Sequence, residues 1–130
     1  MATFLFTYGT LRLNKSHPMA NYLSINSKLV GLGILSKAKL YTNNEFPALI
    51  ETSDETNEVI GDVFELDAHF DWKILDDYEG IGIGEPPYEY RRVQRVTIYE
   101  NKPIECWVYF YNHPLSINAQ LIESGDFLNP

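Results

Sequence analysis

The sequence predicts an α+β fold: a small, mixed, partly closed β-barrel with a few flanking helices. Aromatic residues make up 14% of the chain, with 9 Tyr and 7 Phe, and such side chains suit the pleated face of a sheet. Strand-like runs cluster instead of alternating with helices, which argues against a doubly wound sheet. Glycines sit inside those runs, where a strand must bend to curve on itself. The chain has 130 residues, 45% of them hydrophobic. One domain spanning residues 1–130 can therefore bury a core without disulfide or metal.

Thr3 to Tyr8 is aromatic and β-branched, and Gly9 ends it: a first strand that runs into a loop. Ser16 can cap a helix and Pro18 can begin one. Met19, Tyr22 and Leu23 share a helix face, which places a helix from Pro18 to Ile25. Leu29 to Tyr41 reads as one apolar strand that its glycines bend, or that another backbone crosses closely. Thr42-Asn43-Asn44-Glu45 is a turn cluster. Phe46 to Ile50 reads as an edge strand, because Pro47 has no N–H for a ladder. Glu51 to Glu58 is polar and acidic, as expected of an exposed hairpin loop, and Val59 to Leu66 is a further strand.

Asp67 can cap the second helix. Leu66, Phe70, Ile74 and Tyr78 recur at one helix face, and Gly80 suits the left-handed residue that follows a helix. The helix is placed from Ala68 to Tyr78, with Glu79 at its C-terminal end. After a Gly- and Pro-containing loop, Ile81 to Pro87, Tyr88 to Tyr99 returns to strand character. Glu100 to Pro103 is a turn, and Ile104 to Tyr111 is a last strong strand, broken by Asn112-His113-Pro114. Leu121 to Phe127 is expected to pack back on the body. The sum is roughly six strands and two helices.

Eighteen acidic against ten basic residues give a net charge of −8. That field repels a polyanion and argues against nucleic acid as a partner. The one cysteine, Cys106, can form neither an intrachain disulfide nor a Cys-based metal site, which fits a reducing compartment. His17, His69 and His113 lack metal-ligand spacing, so no metal is expected. Met1 to Phe6 has no basic n-region or long apolar run, and Leu29 to Leu35 is too short to span a bilayer. A soluble, cytoplasmic protein with no membrane partner is expected, its oligomeric state unassigned.

Glu79 is the strongest candidate for chemistry. A helix C-terminus disfavours an anion, and Asp76 and Asp77 add like charge nearby. Both effects raise a carboxyl pKa toward the range useful for acid–base work, whereas a solvated carboxylate is the bland reading. Tyr8-Gly9-Thr10-Leu11 is a strand-to-loop turn whose backbone N–H groups can cradle an oxyanion, or is an ordinary turn. Arg12 either binds a carboxylate or covers apolar surface with its stem. In a strand, Arg91 and Arg95 face one side and Arg92 the other; solvation or pairing with the excess acids is the simplest expectation, and neutralising the substrate or orienting Glu79 is the alternative for one of them.

These segments, in this order, resemble the gamma-glutamylcyclotransferase-like superfamily. Tyr8-Gly9-Thr10-Leu11-Arg12 is similar to its N-terminal signature. Leu40-Tyr41 with Phe46-Pro47-Ala48-Leu49, Ile60 to Leu66, Leu75-Asp76-Asp77-Tyr78-Glu79-Gly80 and Tyr90-Arg91-Arg92-Val93 are similar to later segments. So are Trp107-Val108-Tyr109 and Ser124-Gly125-Asp126-Phe127. The likeness is strongest to the small gamma-glutamylamine cyclotransferase-like members, which share Tyr-Gly-Thr-Leu.

The resemblance implies a small barrel with flanking helices and a pocket for a small-molecule γ-glutamyl substrate. It implies that Glu79 is the acid/base, and that Tyr8, Gly9, Thr10, Leu11 and Arg12, with Tyr90, contact the substrate. It implies intramolecular attack of the substrate α-amine on its γ-carbonyl, giving 5-oxoproline and a released amine or amino acid, with no cofactor. The alternative expectation is a non-catalytic module that binds a small γ-glutamyl or carboxylate ligand.

Overall fold

The computed structural model describes residues 2–9, 11–12, 18–43, 46–79 and 86–130. Among them lie eight strands and two helices. Strands β1 (Thr3–Thr7), β5 (Glu58–Leu66), β2 (Ser27–Ser36), β6 (Tyr90–Tyr99) and β7 (Lys102–Tyr111) close in that order into a barrel. β1 pairs antiparallel with β5, and its parallel contact with β7, Leu5 opposite Trp107, completes the ring. A three-stranded sheet holds β4 (Phe46–Glu51), β3 (Ala38–Asn43) and β8 (Gln120–Leu121). The helices are α1 (Pro18–Ile25), with the bounds its periodicity predicts, and α2 (Trp72–Tyr78).

β1 explains why two cores form. Leu5 and Phe6 point to opposite faces of the strand, yet both are buried. Phe6 packs with Val63, Val108 and Phe110, and with Leu40 and Leu49 of the smaller sheet. Leu5 packs with Leu23 of α1 and Leu75 of α2. Burial on both sides is the reason the strand reads as an unbroken apolar run.

The segment Leu29 to Tyr41 is two strands in two sheets, not one bent strand. The chain turns at Lys37, whose φ of 60° is left-handed. The Lys37 N–H donates to the Asn57 carbonyl at 2.9 Å, and its carbonyl accepts from Thr52 N–H at 2.9 Å. The same corner overturns the expected hairpin at Glu51 to Glu58, because β4 and β5 belong to different sheets. A bend within the apolar run does occur, at Gly31. There φ is 153° and the β2–β5 register shifts, as at a β-bulge. β6 and β7 join through Glu100 and Asn101, with φ of 51° and 63°, the geometry of a two-residue turn between twisted strands. The extra strands relative to the sequence expectation come from the split at Lys37 and from β8, where the tail docks on β3.

α2 starts later than expected. Asp71, not Asp67, is the N-cap, its carboxylate accepting from Lys73 N–H at 3.0 Å. Asp67 instead donates its N–H to the Asn26 carbonyl, and its own carbonyl accepts from Phe70 N–H in a turn. Asp71→Ala is expected to cost about 1 kcal/mol of stability, measured by urea unfolding. The roles expected of Ser16, Asn44, Glu45 and Gly80 fall outside the described residues, as does most of the loop Ile81 to Pro87. No helix among the described residues is long and apolar enough to cross a membrane.

Candidate active site

The site begins where β1 runs out. Tyr8 is buried and donates its phenol proton to the backbone carbonyl of Tyr109 in β7. Beyond it, Arg12 N–H donates to the Gly9 carbonyl at 3.0 Å, closing the loop. Gly9 lies against the ring of Pro47; a Cβ built there would stand 2.7 Å from Pro47 Cβ. Only a residue without a side chain permits that approach. Gly9→Ala is expected to cost about 1–3 kcal/mol, the range for overpacked sites, read by urea unfolding.

The other half of the site is the end of α2. Glu79 caps the helix, its N–H donating to the Leu75 carbonyl at 3.0 Å. Its carboxyl therefore belongs to the negative end of the helix dipole.

Between these halves lies a cavity of about 280 Å³. The loop contributes Tyr8, Gly9 and Leu11; α2 contributes Tyr78 and Glu79; β6 and its approach contribute Glu89 and Tyr90. Tyr109 enters from β7, and Phe46 and Pro47 from the β3–β4 hairpin. The volume suits a small polar molecule. Among the described residues no group of three or more His, Cys, Asp or Glu is placed to hold a metal ion.

The electrostatics follow from burial. Desolvation first, then the charges of Glu89 and Asp76, push the Glu79 carboxyl up to about 8. Burial likewise pushes Tyr8, Tyr90 and Tyr109 above the ordinary phenol range, reinforced for Tyr8 and Tyr90 by Glu79 and for Tyr109 by its bond to Asp76. All three stay neutral at physiological pH. Each also gives its proton to the protein: Tyr8 to the Tyr109 carbonyl, Tyr90 to the Pro47 carbonyl at 2.7 Å, Tyr109 to Asp76 Oδ1 at 2.6 Å. Their oxygens keep lone pairs free to accept from a ligand's N–H groups.

Of the residues singled out in the sequence, Glu79, Tyr8, Gly9, Leu11 and Tyr90 line this one cavity. Thr10 lies outside the described residues. Arg12, expected among the substrate contacts, is held elsewhere. Its guanidinium is 5% exposed, bonded to Asp126 Oδ1 at 2.7 Å and set 3.4 Å from Asp62 Oδ2. Arg91 and Arg95 both pair with Glu51, while Arg92 points the other way to Asp76, as the strand alternation requires. Glu89, Tyr109, Tyr78 and Phe46 were not singled out by the sequence reading. Phe46, Tyr78 and Tyr109 fell within the family-like segments without a role assigned to them, and the excess of tyrosine was a further signal: four of the chain's nine line the cavity.

Fold and cavity together define a small α+β barrel with a ligand-sized, phenol-walled pocket and a titratable carboxyl in its wall. The model of one protein family, described as "Gamma-glutamyl cyclotransferase, AIG2-like", matches residues 5–129. The chain belongs to that family. It is 32% identical over 126 residues to a Methanocaldococcus jannaschii protein named "Putative gamma-glutamylcyclotransferase", covering 95% of this chain and 94% of the relative. Among solved structures it resembles the Escherichia coli protein ytfP, with a TM-score of 0.68 at 25% identity over 98% of this chain and 97% of that one. It also shares its fold with an AIG2-like protein from mouse, with a TM-score of 0.64 at 21% identity over 87% of this chain and 80% of that one.

Proposed function

We propose that the protein is a γ-glutamyl cyclotransferase that converts a small γ-glutamyl amine or dipeptide into 5-oxoproline and a free amine or amino acid. The observation that carries this reading is Glu79 in the cavity wall, with its carboxyl pushed up to about 8. An α-ammonium group titrates above neutrality. A carboxyl raised to about 8 lies far closer to it than an ordinary one, and each unit of mismatch avoided spares about 1.4 kcal/mol in the transfer. An ordinary glutamate, titrating near 4.5, is a poor acceptor for that proton.

In the proposed reaction, Glu79 takes one proton from the substrate's α-ammonium. The freed amine attacks the γ-carbonyl carbon and closes a five-membered ring. Glu79 returns the proton to the departing nitrogen as the γ-amide C–N bond breaks, and its freed carboxylate then passes the ring nitrogen's second proton to the released amine, leaving a neutral lactam and an ammonium product. Attack within one molecule lets orientation replace a covalent enzyme intermediate. The backbone N–H groups of Gly9 and Leu11 hold the α-carboxylate or the developing oxyanion. The oxygens of Tyr8, Tyr90 and Tyr109, their protons committed inward, accept from the ammonium and orient it.

The test is a panel of γ-glutamyl amines and γ-glutamyl dipeptides, scored for 5-oxoproline, with Glu79→Gln as control. Turnover by the wild type and its loss in the variant are expected. No 5-oxoproline from any member, with a γ-glutamyl compound bound equally well by both proteins, would show a binding module instead.

A further inference from the structure

The polar groups behind Glu79 form one connected unit, of which the reaction above uses only the Tyr109 oxygen. Arg92 and Tyr109 stand directly opposite each other on β6 and β7, with Trp107 two residues away on the same strand face. The Arg92 guanidinium lies 3.9 Å from the ring centre of Trp72 and 5.0 Å from that of Trp107. Rings on two sides fix its position. From there Nη2 reaches Asp76 Oδ2 at 3.5 Å, while Asp76 Oδ1 accepts the Tyr109 hydroxyl proton at 2.6 Å. Asp76 sits three residues before Glu79, so both project from one side of the helix end.

Tyr109 therefore joins the halves of the site. Its hydroxyl holds α2 through Asp76, and its carbonyl holds Tyr8 beside the loop.

We propose that Asp76, latched by Tyr109 and Arg92, is the positioning residue for Glu79, fixing the end of α2 at the cavity and setting the charge that the Glu79 carboxyl faces. The proposal rests on the reading of Glu79 as the acid/base. The groups facing Glu79 are Glu89 and Tyr90 from β6 and its approach, Tyr8 from the loop, Tyr109 from β7 and Asp76 on its own helix. Of the two carboxylates, only Asp76 is ion-paired among the described residues, to Arg92. It is the one whose charge and place are fixed together.

The two ends of this latch predict opposite outcomes. Asp76→Asn removes a like charge from beside Glu79 and leaves the Arg92 cation uncompensated, and both changes favour ionised Glu79. Arg92→Met keeps the packing stem, removes the cation and leaves Asp76 fully negative, which favours protonated Glu79. The experiment is carbon-detected NMR titration of Glu79 in protein labelled at the glutamate carboxyls, with the signal assigned through Glu79→Gln.

In Asp76→Asn the midpoint is expected to fall by about one pH unit, a tenfold change in proton affinity. In Arg92→Met it is expected to rise, and in Asp76→Glu to return toward the wild type. The acid limb of the pH–rate profile should follow the same order. An Asp76→Asn protein that folds, loses rate equally at all pH and titrates like the wild type would overturn the proposal. If Asp76→Asn does not fold, Arg92→Met decides alone: a rise supports the proposal and an unmoved midpoint overturns it. The titration needs no turnover, so its failure is distinguishable from failure of the cyclotransferase reading.

Discussion

Glu79→Gln is expected to lower 5-oxoproline formation by about 10²–10⁴-fold, the usual contribution of a general acid–base group. The change keeps shape and hydrogen bonding but removes the exchangeable proton. The same variant should be more stable than the wild type in alkali. In the fold Glu79 titrates at about 8, against 4.5 for the ordinary group. Between those values the native protein binds a proton that the unfolded chain has released, so wild-type stability falls as pH rises through this window. Above about 8 the loss is complete and amounts to a few kcal/mol. Glutamine has no such term. Urea unfolding of both proteins at pH 4, 6 and 9 measures the difference. A gap that opens with pH in favour of the variant is expected; a constant gap would show that Glu79 titrates normally. A less active but more stable variant also separates loss of chemistry from loss of fold.

Arg12→Met is expected to destabilise the protein by about 3–5 kcal/mol, because it leaves buried charge without a partner. Burial already pushes the Asp62 carboxyl up, and Arg12 is what opposes that rise. Asp126 is also pushed up by burial, but hydrogen bonds from Asn129 and Leu128 and the Arg12 contact outweigh this and hold it low. Removing Arg12 turns Asp62 into an isolated anion. The deficit should shrink in acid as that carboxyl takes up a proton, and adding Asp62→Asn should recover part of it. An Arg12→Met protein as stable as the wild type at neutral pH would mean that solvent reaches Asp62 despite its burial. Activity should fall as well, since the Arg12 backbone closes the turn at Gly9.

Much of the barrel was legible because its signals are local. β1 announced itself by composition, and α1 by three apolar residues on one face together with Pro18. The break at Lys37 was not legible. Apolar residues run on through both strands, and nothing about a lysine foretells a left-handed backbone. The start of α2 was misplaced because Asp67 and Asp71 are equally good caps. The choice between them is made at a distance, by the bond from Asp67 to Asn26.

The site divided in the same way. The place of Glu79 at a helix end with Asp76 nearby could be read locally, whereas the burial that chiefly raises its carboxyl and the charge of Glu89 could not. Arg12 could not, because its two partners lie 50 and 114 residues away in the chain. Tyr109 needed the β6–β7 register before its place opposite Arg92 could be known.

The corner at Lys37 has a consequence for how this site can change. β2 and β5 remain paired from Ser36 opposite Glu58 back to Ser27 opposite Leu66. Everything between them, residues 37–57, is an excursion from an intact ladder. That excursion brings Phe46 and Pro47 to the cavity, while Glu79 and the Gly9 loop come from the body. The hairpin wall of the cavity and the wall that carries Glu79 thus sit on separately mutable parts of the chain. Insertions or exchanges in the β3–β4 hairpin can redraw the entrance at small thermodynamic cost. The tie between the Tyr90 hydroxyl and the Pro47 carbonyl marks the point where a grafted hairpin must still register with the barrel.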